Sequence, residues 1–528
     1  MSSFISYRMF LCSSAPWHAA IAIVRIKLLS LVLLLFSTTV LGKTANTEQA
    51  HIADTIHILP KTGLALYPLY EGLHDRLAVR YAYAVWQGKE GIRLPQYGLS
   101  EQRHSLYATG ATRQQKWGAH GYAEYAHGQR TQVRSIAMAQ PERFYPYIVL
   151  DTSKRALTRE EYQLGGTLSY VWHDLGVGIG GSFAGSTQFG KKDPRPLARV
   201  GDFSTLLALS YRLSHYVLAV QGDYSYYSES FAQTNKKEDR QDYVYYHLGL
   251  GLYDHELSVQ KRSESVKYIF AEYALTLQAA PQQRYLPLVQ IAYNHNNAFG
   301  RTNLYTKIAE TEEDKLQAKL FFPFIFSAQR LEVGVHVDYA QRTGYEIDYY
   351  THQVNTSPNI TEEREYHRAA AWKGIQSHYK ALFTYRYAMP SALLHLGYEG
   401  GLASLQTRHG QYYFEQRRSV QNLFVTFRRY YAYYDWLFCL QGLWIQPVQN
   451  RVLWAREARF FAQLQNSIER YYKEPHYGLQ ATFEGGYRIT PAQRIAFALT
   501  GGFERIGGSS EPAWLWELAL RYGFLNKR

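Results

Sequence analysis

Trp514-Leu-Trp-Glu-Leu-Ala-Leu-Arg-Tyr-Gly-Phe524 places a large apolar side chain at every second position. Successive residues of a strand point to opposite faces, so Trp514, Trp516, Leu518, Leu520, Tyr522 and Phe524 share one face. The other face carries Glu517 and Arg521. A strand this long and this apolar, left at the open edge of a sheet, invites aggregation. Pairing it with the first strand removes the edge. The stretch therefore reads as the closing stave of a sheet wrapped on itself.

The same period recurs upstream. Leu77, Val79, Tyr81, Tyr83 and Val85 alternate with Ala78, Arg80, Ala82 and Ala84. Leu331, Val333, Val335, Val337 and Tyr339 alternate with Glu332, Gly334, His336 and Asp338. Tyr477, Leu479, Ala481, Phe483 and Tyr487 form a third series, and Ile495, Phe497, Leu499 and Phe503 a fourth. Many segments run 10 to 13 residues, near the about 9–11 that a tilted strand needs to cross hydrocarbon. Arg212, Glu272, Glu332, His336, Asp338, Glu484, Arg488, Glu517 and Arg521 all fall on the wet rows. In a barrel they face the lumen, either lining a pore or cross-linking and sealing it.

Connections alternate in length. Short ones include Arg113–Lys116, Trp172–Leu175, Ser327–Arg330 and Thr490–Gln493; polar stretches at 128–160, 188–201, 229–241, 297–313, 343–366 and 447–475 separate them. Short turns at one end and long loops at the other are the asymmetry of an outer-membrane barrel, with the turns periplasmic and the loops extracellular. The expected fold is all-β: a transmembrane antiparallel up-and-down β-barrel of about 18 strands (range 16 to 20), counted from these segments. Residues 76–528 form the barrel and 43–75 a periplasmic lead-in, far too short for a receptor plug domain.

Residues 1–42 read as a signal peptide. Arg25 and Lys27 precede the apolar core Leu28–Phe36, and Val40 and Gly42 suit signal peptidase. Cys12 lies in this leader, so Cys439 is left without an intrachain partner and reads as a small apolar residue. Aromatics make up 16% of the chain, and no apolar run of membrane-helix length follows residue 45. The formal charge of +13 falls to about +10 once the three basic residues of the leader are removed. That excess suits anionic lipid and lipopolysaccharide phosphates. It lacks the dense basic runs expected for nucleic acid, which is not expected as a partner.

Local motifs carry no chemistry. Gly176-Val-Gly-Ile-Gly-Gly181 has dinucleotide-site spacing but continues as a strand, not the helix such a site requires. Gly185-Ser-Thr-Gln-Phe-Gly-Lys-Lys192 misses the hydroxyl that holds Mg²⁺ in a phosphate loop, and Pro194 and Pro196 follow. No catalytic, cofactor-binding or metal-ligating residue is assigned, and no cofactor is expected. His336 and Asp338 share a strand face and read as part of a lumen hydrogen-bond network.

The final strand resembles the C-terminal strand of outer-membrane proteins, which the barrel-assembly machinery reads, although Leu525-Asn-Lys-Arg528 trails the last aromatic. Arg143-Phe-Tyr-Pro-Tyr-Ile-Val-Leu-Asp151, Lys192-Asp-Pro-Arg-Pro196 and Tyr211-Arg-Leu-Ser-His-Tyr216, with the order of strands over 75–524, resemble the large outer-membrane barrels of unknown function of Bacteroidota-type bacteria. The resemblance implies fold and place, and no functional residue. The wet inward rows favour a passive or substrate-selective channel or transporter. A sealed structural or adhesive barrel, with loops such as 343–366 making the contacts, is the alternative. An outer-membrane hydrolase with a site assembled across strands comes third.

Overall fold

The computed structural model describes residues 75–526 apart from segments within the connections, the longer ones being 89–97, 235–243, 255–262, 354–360 and 456–461. The leader and the lead-in to residue 74 lie outside the described residues. The strands are β1 (Asp75–Gln87), β2 (Ser100–Gln114), β3 (Trp117–Arg134), β4 (Ile148–Asp151), β5 (Lys154–Trp172), β6 (Leu175–Phe189) and β7 (Arg195–Arg212). They continue as β8 (Tyr216–Thr234), β9 (Val244–Gly249), β10 (Leu252–Asp254), β11 (Ser263–Pro281), β12 (Leu288–Thr302), β13 (Lys307–Phe326) and β14 (Gln329–Gln353). The last are β15 (Thr361–Met389), β16 (Ala392–His409), β17 (Tyr412–Tyr430), β18 (Tyr434–Leu453), β19 (His476–Thr490), β20 (Gln493–Ile506) and β21 (Ala513–Asn526), with helix α1 (Ala462–Lys473) before β19.

Eighteen strands form one antiparallel sheet, and β4, β9 and β10 a separate three-stranded one. The large sheet closes: β21 pairs with β20 on one side and with β1 on the other, in a register that sets Gln87 opposite Trp514 and Asp75 opposite Asn526. The architecture is an 18-strand transmembrane-type β-barrel, as the alternation and the turn spacing imply.

Its two faces differ as the period-two rows require. Outside, Leu164, Ile179, Leu207, Leu423 and Phe483 are among dozens of exposed large apolar side chains, joined by Trp514, Trp516, Leu518 and Leu520 of the last strand. So large an apolar surface is untenable in water and suits a hydrocarbon solvent. Inside, charged and amide side chains share the wall with small residues; Ala82, Ala498 and Ala519 pack together where β20, β21 and β1 meet.

The barrel strands run from 13 residues in β1 to 29 in β15, most of them longer than the sequence periodicity indicates. Most of the polar stretches read as loops are strand: β14 and β15 take up most of 343–366, and β12 and β13 most of 297–313. Beyond the hydrocarbon both faces are wet, so alternation fades while pairing persists. The length asymmetry is not strict either: the β12–β13 connection at the long-loop end is shorter than the β11–β12 connection at the other end. β16 and β17 join through a two-residue turn at the long-loop end, where Gly410 has φ +57°, a conformation glycine adopts at no steric cost. Finally, connections expected to project outward turn into the barrel.

Candidate functional site: the lumen and its plug

The segment after β3 folds back inside the barrel as a single 3-10 turn, Pro141–Arg143, followed by β4. β4 pairs with β9, and β9 with β10, so the β3–β5 and β8–β11 connections share one small sheet. Its apolar side chains, including Phe144, Ile148, Leu150, Tyr245 and Tyr246, join wall residues Tyr227, Phe231 and Tyr268 in the largest buried core of the described residues. α1 joins from a third connection: Ile468 packs on this core, and the Ala455 N–H donates to the Leu250 carbonyl at 2.9 Å. Three connections thus build a plug at the end of the barrel opposite Asp75 and Asn526, the terminal ends of the first and last strands. The nonapeptide Arg143–Asp151, quoted above for its resemblance, is the centre of that plug.

Polar contacts tie the plug to the wall. Wholly buried Glu229 on β8 accepts the Ala139 N–H at 2.8 Å and the Tyr227 hydroxyl at 2.7 Å. Arg143 lies 2.9 Å from Asp202 and stacks over the Tyr227 and Phe270 rings. Arg342 on β14 pairs with Glu313 at 2.8 Å and donates to the carbonyls of Glu142 and Tyr145. His247 on β9 contacts the Pro146 carbonyl at 3.0 Å, joining the two inserted connections. Burial holds this imidazole down to about 4 from its usual 6.5. Burial also pushes the Tyr145 and Tyr147 phenols well above their ordinary range.

Beneath the plug lies a chamber of about 900 Å³. Its roof is plug and helix: Tyr145, Ile148, Leu150, Leu250, Ile468 and Tyr472. Its wall is set by register. Ser182, Ser204, Ser225, Glu272, Asn296, Glu313, Arg342, Gly374, Thr407 and Phe414 are successive cross-strand partners from β6 to β17, and all of them line it. The arc is internally bonded: the Ser182 and Ser204 hydroxyls are 2.6 Å apart, and the Asn296 amide donates to Glu313 at 3.0 Å. The buried Asn296 Oδ1 and Trp372 Nε1 have no hydrogen-bond partner among the described residues, and both side chains line the chamber. The site is polar enough to hold water or a polar solute.

The residues singled out from sequence sort into four places. Glu272 and Asp338 line the chamber; Glu272 accepts from Asn294 at 3.2 Å, and Asp338 lies 3.0 Å from His336 and accepts from Gln317 at 2.6 Å. Glu332 sits nearer the termini, 2.5 Å from Arg330 and bonded to the Thr384 hydroxyl. Glu484, Glu517 and Arg521 belong to an ion-pair ladder across the closing strands. In it Arg428 and Arg494 hold Asp435, at 3.4 and 2.5 Å, Arg494 and Arg521 hold Glu484, and Arg80 of β1 holds Glu517. Arg212 and Arg488 stand at the turn ends of β7 and β19, where their backbone N–H groups donate to the carbonyls of Asp174 and Tyr433.

Sequence reasoning passed over Glu229, Arg143, Arg342, Asp435 and Arg494. Each sits on a strand row or in a connection without local motif, and each has at least one partner dozens of residues away: Ala139 for Glu229, Asp202 for Arg143, Glu313 for Arg342, and Asp435 and Arg494 for one another. Cys439, read as small and apolar, is half-buried on the inner row, where Thr426 donates to its sulfur at 3.4 Å. Gly176–Gly181 lies within β6, with no helix after it, and Gly185–Phe189 continues that strand; 192–194 lie outside the described residues.

No curated protein matches the chain. Solved structures similar to it include the copper transporter OprC, at 9% identity over 85% of this chain and 81% of that one, TM-score 0.40. The siderophore receptor PirA from Acinetobacter baumannii matches at 8% identity over 86% and 81%, TM-score 0.38. A loop-deletion form of OmpT, an outer membrane protein of Vibrio cholerae, matches at 10% identity over 85% and 98%, TM-score 0.30. A family model described as a family of unknown function (DUF6850) matches residues 74–524, and the chain belongs to that family.

Proposed function

We propose that this protein is an outer-membrane barrel of a Gram-negative, Bacteroidota-type bacterium, exported behind its leader, and that it passes a solute through a gated lumen. The supporting observation is the polar chamber under the plug, whose roof is made of connections that the chain could withdraw without breaking the wall. The short turns and both termini then face the periplasm, and the plug faces outward. The exposed strip from Trp514 to Phe524 serves as the assembly-machinery signal. The aromatic and cationic outer residues meet lipid and lipopolysaccharide. Purified barrel in a planar bilayer and in liposome-swelling assays tests the reading. Conductance or solute entry, raised when the plug is loosened, is expected. A folded barrel that neither conducts nor admits solute, plug loosened or not, overturns it. It would then favour a sealed structural barrel, a second reading that the plug anchors, buried Glu229 and half-buried Arg143, make physically reasonable.

A further inference from the structure

Below the chamber, the charges of the inner wall are unevenly distributed. Around the closing strands the arginines are each paired: Arg428, Arg494 and Arg521 run in one chain with Asp435 and Glu484, and Arg80 pairs with Glu517 beside it. On β13 to β16 the cations are not all paired. Lys319, His336 and Lys380 are direct cross-strand partners, as are Arg330, Arg386 and His395 nearer the termini. Lys315 and His378 stand above them in the chamber lining. All lie on the inward row, opposite the exposed Leu316, Val335, Tyr379 and Phe383.

Three carboxylates share this wall, joined in the chamber lining around Lys315 by Glu272 and Glu313, which Asn294 and Arg342 engage; the three are engaged as well. Asp338 lies against His336 and Gln317, Glu332 against Arg330 and Thr384, and Glu399 against Lys380 at 2.8 Å. Among the described residues, Lys315, Lys319 and Arg386 have no carboxylate in ion-pair contact, and the Nε of Arg386 has no hydrogen-bond partner. Asp338 and Glu332 act on Lys319 and Arg386 only through space, and an excess of cations over carboxylates along one wall of a low-dielectric tube focuses a positive potential there; rings or rows of Lys and Arg select anions in pores.

We propose that Lys315, Lys319, Lys380, Arg386 and Arg330 form a basic track that leads from the chamber to the terminal end of the lumen and takes small oxyanions, of the phosphate, carboxylate or sulfonate class. This rests on the reading of the lumen as a solute path and names the class of solute. The partly exposed lysines supply exchangeable point charges, and the engaged carboxylates keep any one site from holding an anion too tightly to release.

The test uses the full barrel folded in detergent micelles, with the trisulfonate dye pyranine as probe and the dication methyl viologen as its counterpart. The wild type should bind pyranine in preference to methyl viologen, with an affinity that falls as salt rises. The Lys319→Gln, Lys380→Gln, Arg386→Gln triple variant should bind pyranine at least tenfold more weakly. Arg417→Gln, on the outer face, should leave binding unchanged. Should the triple variant fail to fold, each single variant is expected to weaken binding about threefold. No preference for pyranine, or variants that bind as the wild type does, overturns the track. A bilayer measurement in a KCl gradient separates the two readings. Conduction without anion preference sinks the track and leaves the channel. Pyranine binding without conduction keeps the track and sinks the channel.

Discussion

Glu229 Oε1 accepts the N–H of Ala139, ninety residues earlier in the chain, at 2.8 Å while the glutamate is wholly shielded from solvent. One wall carboxylate thereby fixes where the first inserted connection starts. Removing it strands the Ala139 N–H and the Tyr227 hydroxyl, at a cost of about 1–3 kcal/mol for each buried group left unpaired. Glu229→Ala should expose the plug, seen as faster tryptic cleavage after Arg143 in the folded barrel, while Glu229→Gln, which keeps an acceptor, should lie between it and the wild type. Equal cleavage of all three would show that the apolar core alone holds the plug.

Asp435 and Arg494 anchor the closing seam. Asp435 is 1% exposed and takes both Nε and Nη2 of Arg494 at 2.9 and 2.5 Å. Breaking a buried pair from one side costs up to about 3–5 kcal/mol, because the remaining charge stays in place. Asp435→Asn should lower the urea midpoint of unfolding in micelles. Adding Arg494→Gln should recover part of the loss, a coupling that a double-mutant cycle reads directly. Strictly additive losses would mean that the pair does not act as a unit.

His247 makes the plug sensitive to acid. Its folded value of about 4 lies below the 6.5 of the unfolded chain, so between these two the opened state takes up a proton that the closed state refuses. Closure is therefore favoured fully above pH 6.5 and loses about 1.4 kcal/mol per pH unit as pH falls toward 4. Tryptic accessibility of the plug should rise through that window, and His247→Gln, whose amide can still donate to the Pro146 carbonyl, should flatten the response. A profile identical in the two proteins would remove His247 as the cause.

Leu207, exposed on the outer face in mid-barrel, distinguishes a membrane barrel from a soluble one. Arginine at the bilayer midplane costs about 2–4 kcal/mol in outer-membrane barrels, so Leu207→Arg should make the free energy of folding into lipid vesicles less favourable by that amount, read from denaturant titrations. A barrel that lives in water would tolerate it or gain from it.

Much of the wall was legible in the sequence. The period-two rows of Leu331–Tyr339 and Trp514–Phe524 state which side chains turn outward, because strand geometry is local and needs no knowledge of a partner. The strand number followed from turn spacing for the same reason. Strand length did not, because a row such as 343–353 loses its apolar signal once it leaves hydrocarbon, although its backbone remains paired with β15. The connections were misread more deeply. Arg143–Asp151 lies in a stretch read as a loop; its run Phe144–Leu150 is apolar and aromatic, yet nothing in it announces that Phe144 packs against Tyr227 and Tyr268.

The sequence alone determined that this chain is a closed two-faced sheet and which residues share each face, since alternation along a strand is a property of the backbone. Only the tertiary structure decided that three connections turn inward, that Glu229, Arg143 and Arg342 hold the first of them there, and that the inward charges divide into a paired seam and a more basic wall. Those facts depend on contacts between residues as far apart in sequence as Arg80 and Glu517, and barrel closure, which brings them together, leaves no local trace in the chain.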